Sequence, residues 1–330
     1  MAQLAARLAG SQKVTGSTPV RSTSVQMINK NILILYHQLI QNLKLNSYFK
    51  KQRYQIDYKV TITNNGKTSE RLHCVFPIPQ STPYQIITSN KFTQKGEIST
   101  DQLYKNKFYV VELNLKPQQV KIVTHYFKAT ILPNVSRGNI IIQEKPTPNN
   151  QFISTNTAIK KIVSQLIIKD QKKDAYIKAV YDYVITKLSY GNPIDGLYSV
   201  NETLVKPSVD CGGFVVLFCS LMSALNISCL PVFGYYLGYN QNNMHAWAKM
   251  PSGDVFDPTS EYLFNKARSF KSGGFGWIGS DHLELSSGCD FDIDVNGQNK
   301  RVDILQKALL FPKNNNVLCM TELLSDKKNV

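Results

Sequence analysis

Val209-Asp210-Cys211-Gly212-Gly213-Phe214-Val215-Val216-Leu217-Phe218-Cys219-Ser220-Leu221-Met222-Ser223-Ala224-Leu225-Asn226-Ile227 reads as a loop with two glycines that runs straight into an apolar helix. Cys211 stands where the helix begins. From Phe214 to Leu225 the pattern is apolar nearly all round, which predicts a helix buried at the centre of its domain and a rigid mount for a reactive group. A helix N-terminus and an imidazolium partner both lower a thiol pKa. Gly212 and Gly213 leave room for backbone N–H groups to face an oxyanion.

His245 follows 34 residues later (245 − 211) at the front of an alternating segment, and Asp257 lies 12 beyond it (257 − 245). Pro251-Ser252-Gly253-Asp254 between them reads as a hairpin turn. The even separation lets both side chains point to one face of a strand pair. Asp257 would then orient the imidazole while its other nitrogen faces Cys211. Free cysteines are often merely structural, and Cys219 and Cys229 read that way.

Upstream, residues 54–135 alternate with period two, and Asn64-Asn65-Gly66 and several prolines punctuate them. Strands are expected over 71–76, 84–89, 108–115 and 120–132, forming a small antiparallel β-sandwich. His73 and His125 read as surface or cross-strand residues. Pro146, Pro148, Asn149 and Asn150 mark a boundary. Helical patterns over 154–168 and 174–188 follow, then a loop over 189–209 and the Cys211 helix. Further strands are expected over 228–236, 245–250, 255–256, 283–285, 291–295 and 302–305. The expected organisation is a leader over 1–48, a β domain over 49–145, a catalytic domain over 151–312 and a C-terminal tail over 313–330.

The leader has two readings. Met1–Ser24 lacks acids and is rich in Ser, Thr and Arg, like a transit peptide. Gly16-Ser17-Thr18-Pro19-Val20-Arg21-Ser22-Thr23 also looks like the translated T-arm of a tRNA gene, which would make Met27 the start. Residues 31–45 carry a one-sided apolar pattern that fits a helix.

With 42% hydrophobic and 18% charged residues, the 330-residue chain can bury a core and is not a disordered polyelectrolyte. Its net charge of +15 is densest at the N-terminus. No helix-turn-helix, zinc-finger or RNA-binding aromatic motif accompanies the charge, so a solvated basic arm is expected rather than a specific nucleic-acid site. Six scattered cysteines without a C-x-x-C pair suggest reduced thiols. No apolar run reaches transmembrane length. The lack of a clear export signal points to the cytoplasm. Asp292, Asp294, Asn296, Gly297 and Asp303 imitate a calcium loop. The alternation of Phe291, Ile293 and Val295, and Asn296-Gly297 at the turn, read instead as a β-hairpin. No metal or cofactor is expected.

Three blocks together resemble the transglutaminase-like superfamily, whose core is related to papain-type cysteine proteases: Asp210-Cys211-Gly212-Gly213-Phe214; Met244-His245-Ala246-Trp247 after Val232-Phe233-Gly234-Tyr235; and Phe256-Asp257-Pro258-Thr259. Phe76-Pro77-Ile78-Pro79 and Ser280-Asp281-His282-Leu283 are similar to flanking parts of bacterial members. The resemblance implies an α+β papain-like core behind an antiparallel β domain, with Cys211 as nucleophile, His245 as base and acid and Asp257 as orienter. Tyr190, Gly212 and Trp247 are candidates for oxyanion or substrate contacts. The implied chemistry is acyl transfer through a thioester on a peptide or protein amide. Hydrolysis is the first expectation, protein cross-linking by amine transfer an alternative, and a non-catalytic peptide-binding module the reading from another class.

Overall fold

The computed structural model describes residues 47–136, 140, 142, 146–167, 172–238, 243–266 and 271–328. The readings of the leader and of residues 31–45 lie outside them. Strands β1 (Gln52–Asn64), β2 (Glu70–Ile78), β3 (Gln85–Phe92), β4 (Glu97–Thr100), β5 (Lys107–Leu115), β6 (Val120–Ile131) and β7 (Asn134–Val135) come first. Helices α1 (Thr157–Leu166), α2 (Lys173–Lys187), α3 (Val200–Val205) and α4 (Cys211–Ala224) follow. Then come β8 (Leu230–Tyr236), β9 (Met244–Lys249), β10 (Val255–Phe256), helix α5 (Pro258–Asn265), β11 (Trp277–Ile278), β12 (His282–Ser287), β13 (Phe291–Val295), β14 (Gln298–Val302), β15 (Leu309–Phe311) and β16 (Val317–Lys328). The fold is α+β, with every sheet pairing antiparallel.

Alternation in β1 decides the sandwich. Tyr54, Ile56, Tyr58, Val60 and Ile62 are buried, and the residues between them face outward. They pack against Leu72, Cys74 and Phe76 of β2 and Val111, Leu113 and Leu115 of β5. One sheet has the order β16-β1-β6-β3, the other β15-β2-β5-β4. The tail expected from residue 313 is therefore largely a strand: β16 pairs with β1 from Arg53↔Lys328 to Asn64↔Val317. It buries Val317 and Leu323 and covers what would otherwise be a long hydrogen-bonding edge. The helices and strands between β7 and β15 are thus an insertion between strands of one sandwich. His125, expected near the surface, is fully buried and stacked on Phe92 at 4.0 Å.

The inserted part carries a four-stranded sheet, β10-β9-β8-β12, against which α4 lies. Every α4 residue from Gly212 to Ser223 is buried, as its all-round apolar pattern requires. Phe214 and Phe218 contact Tyr262, Tyr181 and Phe256 edge-on or tilted. Each such ring contributes about 1.5–3 kcal/mol by leaving water, so the start of α4 is held firmly. Tyr235, Leu237, Leu283 and Leu285 join the sandwich core, and the Gln85 side chain bonds both the backbone N–H and C=O of Glu284 at 2.8 and 3.0 Å. Gly234 on β8 has a local reason: a Cβ there would lie 1.8 Å from the Leu283 carbonyl oxygen on β12. The calcium-like segment is the β13–β14 hairpin, turned by Asn296 and Gly297 with φ of 54° and 77°. Arg301 lies across it, 2.7 Å from Asp290 and 3.3 Å from Asp292.

Candidate active site

Asp210 ends the loop and caps α4. Its Oδ1 accepts from Gly213 N–H at 3.2 Å and its Oδ2 from Ile194 N–H at 3.2 Å. Cys211 is therefore the first helical residue, half-buried, and the Ala246 and Gly212 N–H groups lie against its sulfur. The two glycines serve packing more than access. A Cβ on Gly212 would meet Leu197 at 2.7 Å, and one on Gly213 would meet Val209 at 2.7 Å.

His245 opens β9 beside that helix start. The hairpin turn runs through 251–254 as expected, with Val255↔Lys249 and Phe256↔Ala248 as the pairs. Continuing that register sets Asp257 opposite Trp247, two residues along the same face from His245. Asp257 Oδ2 accepts from His245 Nε2 at 2.8 Å, which leaves Nδ1 as the nitrogen free to serve the thiol. Its Oδ1 accepts from Ser260 N–H at 2.9 Å, so the same carboxylate caps α5. His245 and Asp257 are both buried.

Burial opposes ionisation of Asp257, but His245 and His282 outweigh it and hold the carboxyl well below the usual range. Burial pushes the His245 imidazole down, partly offset by Asp257. Burial, then the charge of Asp210, pushes the Cys211 thiol up to about 12. The expectation of a thiol already activated by the helix end is corrected here. Asp210 occupies that helix end, and its negative charge disfavours a neighbouring thiolate. The resting pair is a neutral thiol and a neutral imidazole.

Three residues that the sequence reading did not place at the centre meet there. Tyr236, the last residue of β8, stacks on His245, and its Oη lies 2.8 Å from Nε2 and 3.3 Å from Asp257 Oδ2. It also contacts Ser260 Oγ. His282, paired with Tyr236 across β8 and β12, donates from Nε2 to the same Asp257 oxygen at 3.1 Å. Lys271 lies over the Tyr236 ring at 4.3 Å and bonds Asn243 Oδ1 at 2.9 Å.

Of the remaining expected residues, Tyr190 does reach the site. A parallel bridge joins it to Val209, and burial, then Cys211 and Asp210, raises its phenol to about 12. Trp247 does not face a substrate. It is fully buried with Tyr84, Val232, Val255 and Ile278, and its ring meets His282 edge-on at 5.1 Å. A cavity of about 400 Å³ lies elsewhere, between the sandwich and the β13–β14 hairpin. It is lined by His73, Glu97, Glu112 and Asp294 and offers no nucleophile.

His245, Asp257 and His282 bring donor atoms within 4.8 Å of one another, close enough for a metal. Their hydrogen bonding does not fit one. Both Nε2 atoms point protons at Asp257 Oδ2, and Asp281 Oδ1 holds the other nitrogen of His282 at 2.9 Å. A ring held by carboxylates at both nitrogens has no lone pair to give.

Residues 160–278 match the family model described as the transglutaminase-like superfamily, a span that includes Cys211, His245 and Asp257. The chain carries a transglutaminase-like domain. No curated protein matches the chain. A crystal structure of a candidate cysteine protease from Cytophaga hutchinsonii is similar in fold, with a TM-score of 0.57 at 13% identity over 85% of this chain and 92% of that one. The transglutaminase-like domain accordingly keeps its architecture where sequence similarity is low. Among the described residues no helix is long and apolar enough to cross a membrane.

Proposed function

We propose that this transglutaminase-like protein is a cysteine enzyme that opens peptide or protein amides through Cys211, His245 and Asp257, with water as the acceptor. The observation that carries the reading is the convergence of a helix-start cysteine with a buried histidine whose far nitrogen is tied to a buried carboxylate. The uncharged resting pair sets the order of events. His245 takes the Cys211 proton as the sulfur attacks the carbonyl carbon, and the π electrons move to the carbonyl oxygen. Backbone N–H groups at the start of α4, with Tyr190, are the candidate donors for that oxyanion. His245 then protonates the leaving amine, which departs as the thioester forms. Water, deprotonated by His245, releases the acid and restores the thiol. Hydrolysis is favoured over amine transfer because water requires no second binding site.

The test is a quenched peptide library offered with and without an added primary amine, with intact mass measured on Cys211. Cleavage that disappears in Cys211→Ala, with a transient acyl adduct on Cys211, supports the reading. Amine incorporated without cleavage would redirect it to cross-linking. Tight peptide binding unchanged in Cys211→Ser, with no adduct, would leave a binding module.

A further inference from the structure

His282 stands four residues beyond the span that matches the family model (282 − 278), yet it touches the centre of the site. It is buried, with Asp257 at one ring nitrogen and Asp281 at the other. Both carboxylates are also buried. A neutral imidazole has one N–H and so satisfies one carboxylate; two carboxylates at 3.1 and 2.9 Å call for two N–H groups. We propose that His282 is a positioning residue for the reaction proposed above: a buried imidazolium, clamped between Asp281 and Asp257, that fixes the Asp257 carboxylate so that Asp257 can orient His245.

The surroundings support the assignment. Ser272 Oγ bonds Asp281 and accepts from Gly279 N–H at 3.0 Å, tying the outer carboxylate to the loop. Trp247 and Tyr236 meet the His282 ring edge-on and block sideways movement. Other charged or titratable groups facing this cluster are His245 on β9, Tyr236 on β8, Tyr54 on β1 and Lys271 in the glycine-rich loop. The buried charges nearly balance, with two carboxylates against His282 and Lys271. Burial disfavours the His282 cation, but Asp281 and the bonds to Asp257 overcome it and raise the ring to about 9.

The cation has a further effect on the base. It repels a second positive charge on His245 and so helps keep that imidazole neutral. Removing it should therefore raise the His245 pKa and move the acid limb of the activity profile to higher pH. A purely structural role for His282 would leave that limb in place.

The experiment is ¹⁵N NMR of histidine-labelled full-length protein between pH 5 and 10, with His282 assigned by loss of its signal in His282→Gln. Both ring nitrogens protonated through pH 8 is the expected result. In Asp281→Asn, which keeps the ring, the titration should move down. A His282 carrying a single proton at pH 7 overturns the proposal, since one carboxylate would then hold the missing proton. In kinetics, His282→Gln should lower kcat on the order of 10- to 100-fold, as loss of an orienting partner does, with KM nearly unchanged and the acid limb displaced upward. Unchanged kcat and limb would also overturn it. The NMR arm is repeated in Cys211→Ser. Protonation there does not depend on Cys211 chemistry, so failure of the cysteine mechanism and failure of the His282 assignment are told apart.

Discussion

Tyr236 lies flat on His245, with ring centroids 4.1 Å apart and planes 19° from parallel. The stack holds the imidazole in its plane while the phenol oxygen reaches Nε2 at 2.8 Å and Ser260 Oγ beyond it. Tyr236→Phe keeps the stack and removes the hydroxyl. Loss of one buried hydrogen-bonding group costs about 1–3 kcal/mol. We expect turnover to fall roughly 10-fold with the fold intact. Tyr236→Ala, which also frees the ring, should fall further. Steady-state kinetics beside far-UV circular dichroism checks both.

Asp257 serves His245, His282 and the first turn of α5 at once. In Asp257→Asn the cap survives, because Asn is as good an N-cap as Asp. The charge does not survive, and His282 keeps a single anionic partner. Breaking one side of a buried charge network costs roughly 3–5 kcal/mol, and a mis-set imidazole costs about 10⁴-fold in turnover where this has been isolated. Urea unfolding and peptide cleavage should show both losses. A variant with ordinary stability and activity would remove Asp257 from the centre of the site.

Gly273 has φ of +128°, and a Cβ there would stand 2.5 Å from Asp257 Oδ2. Gly253 also has positive φ, +93°, but a Cβ there meets nothing within 4 Å. The pair separates backbone strain from collision. Gly253→Ala should cost about 1–2 kcal/mol from conformation alone and leave activity intact. Gly273→Ala should cost more and also suppress turnover by displacing the carboxylate. Equal effects on stability and activity at the two sites would contradict this.

The resting Cys211 thiol sets a pH signature. Its pKa lies above the ordinary 9.0, toward 12. Alkylation by iodoacetamide should therefore rise about tenfold per pH unit through neutrality, with no plateau at acid pH. The linked stability has a definite sign. A native pKa raised above the unfolded one means the native state holds its proton longer, so this contribution is complete below pH 9 and declines as pH climbs toward 12. His282 adds the same sign in a lower window, complete below 6.5 and lost as pH approaches about 9. Its size is on the order of 3 kcal/mol. Rates read by peptide mass spectrometry and unfolding midpoints across pH 6–10 test the two windows.

What could be read in advance followed the range of the signals. Cys211, His245 and Asp257 were legible because each stands on a local pattern: a glycine pair before an apolar run, an alternating strand, and a turn. Helix α5 was missed although Asp257, Pro258 and Glu261 are good start signals, because the strand reading of Val255 and Phe256 drew attention away. Tyr236 and His282 are 46 residues apart in sequence (282 − 236) and meet only through the β8–β12 register, which no local pattern encodes. Trp247 shares a strand face with His245, and alternation could not reveal that Tyr84 and Ile278 cover its part of that face. Strand β16 passed for a tail because only Val317 and Leu323 are fully buried in it; the burial of an edge strand is too sparse to print a clear rhythm.

The pairing of β16 with β1 has a consequence for how the protein is made. Arg53 finds Lys328 and Asn64 finds Val317 only after 275 (328 − 53) and 253 (317 − 64) further residues have been added. At about 5–20 residues per second, the first strand leaves the ribosome tens of seconds before its neighbour exists. During that interval its hydrogen-bonding edge is open to other chains, and the domain inserted between the two strands can form first. The sandwich is begun early in synthesis and closed last, so the nascent chain, rather than the finished enzyme, is where this architecture is most exposed to mispairing and most dependent on chaperones.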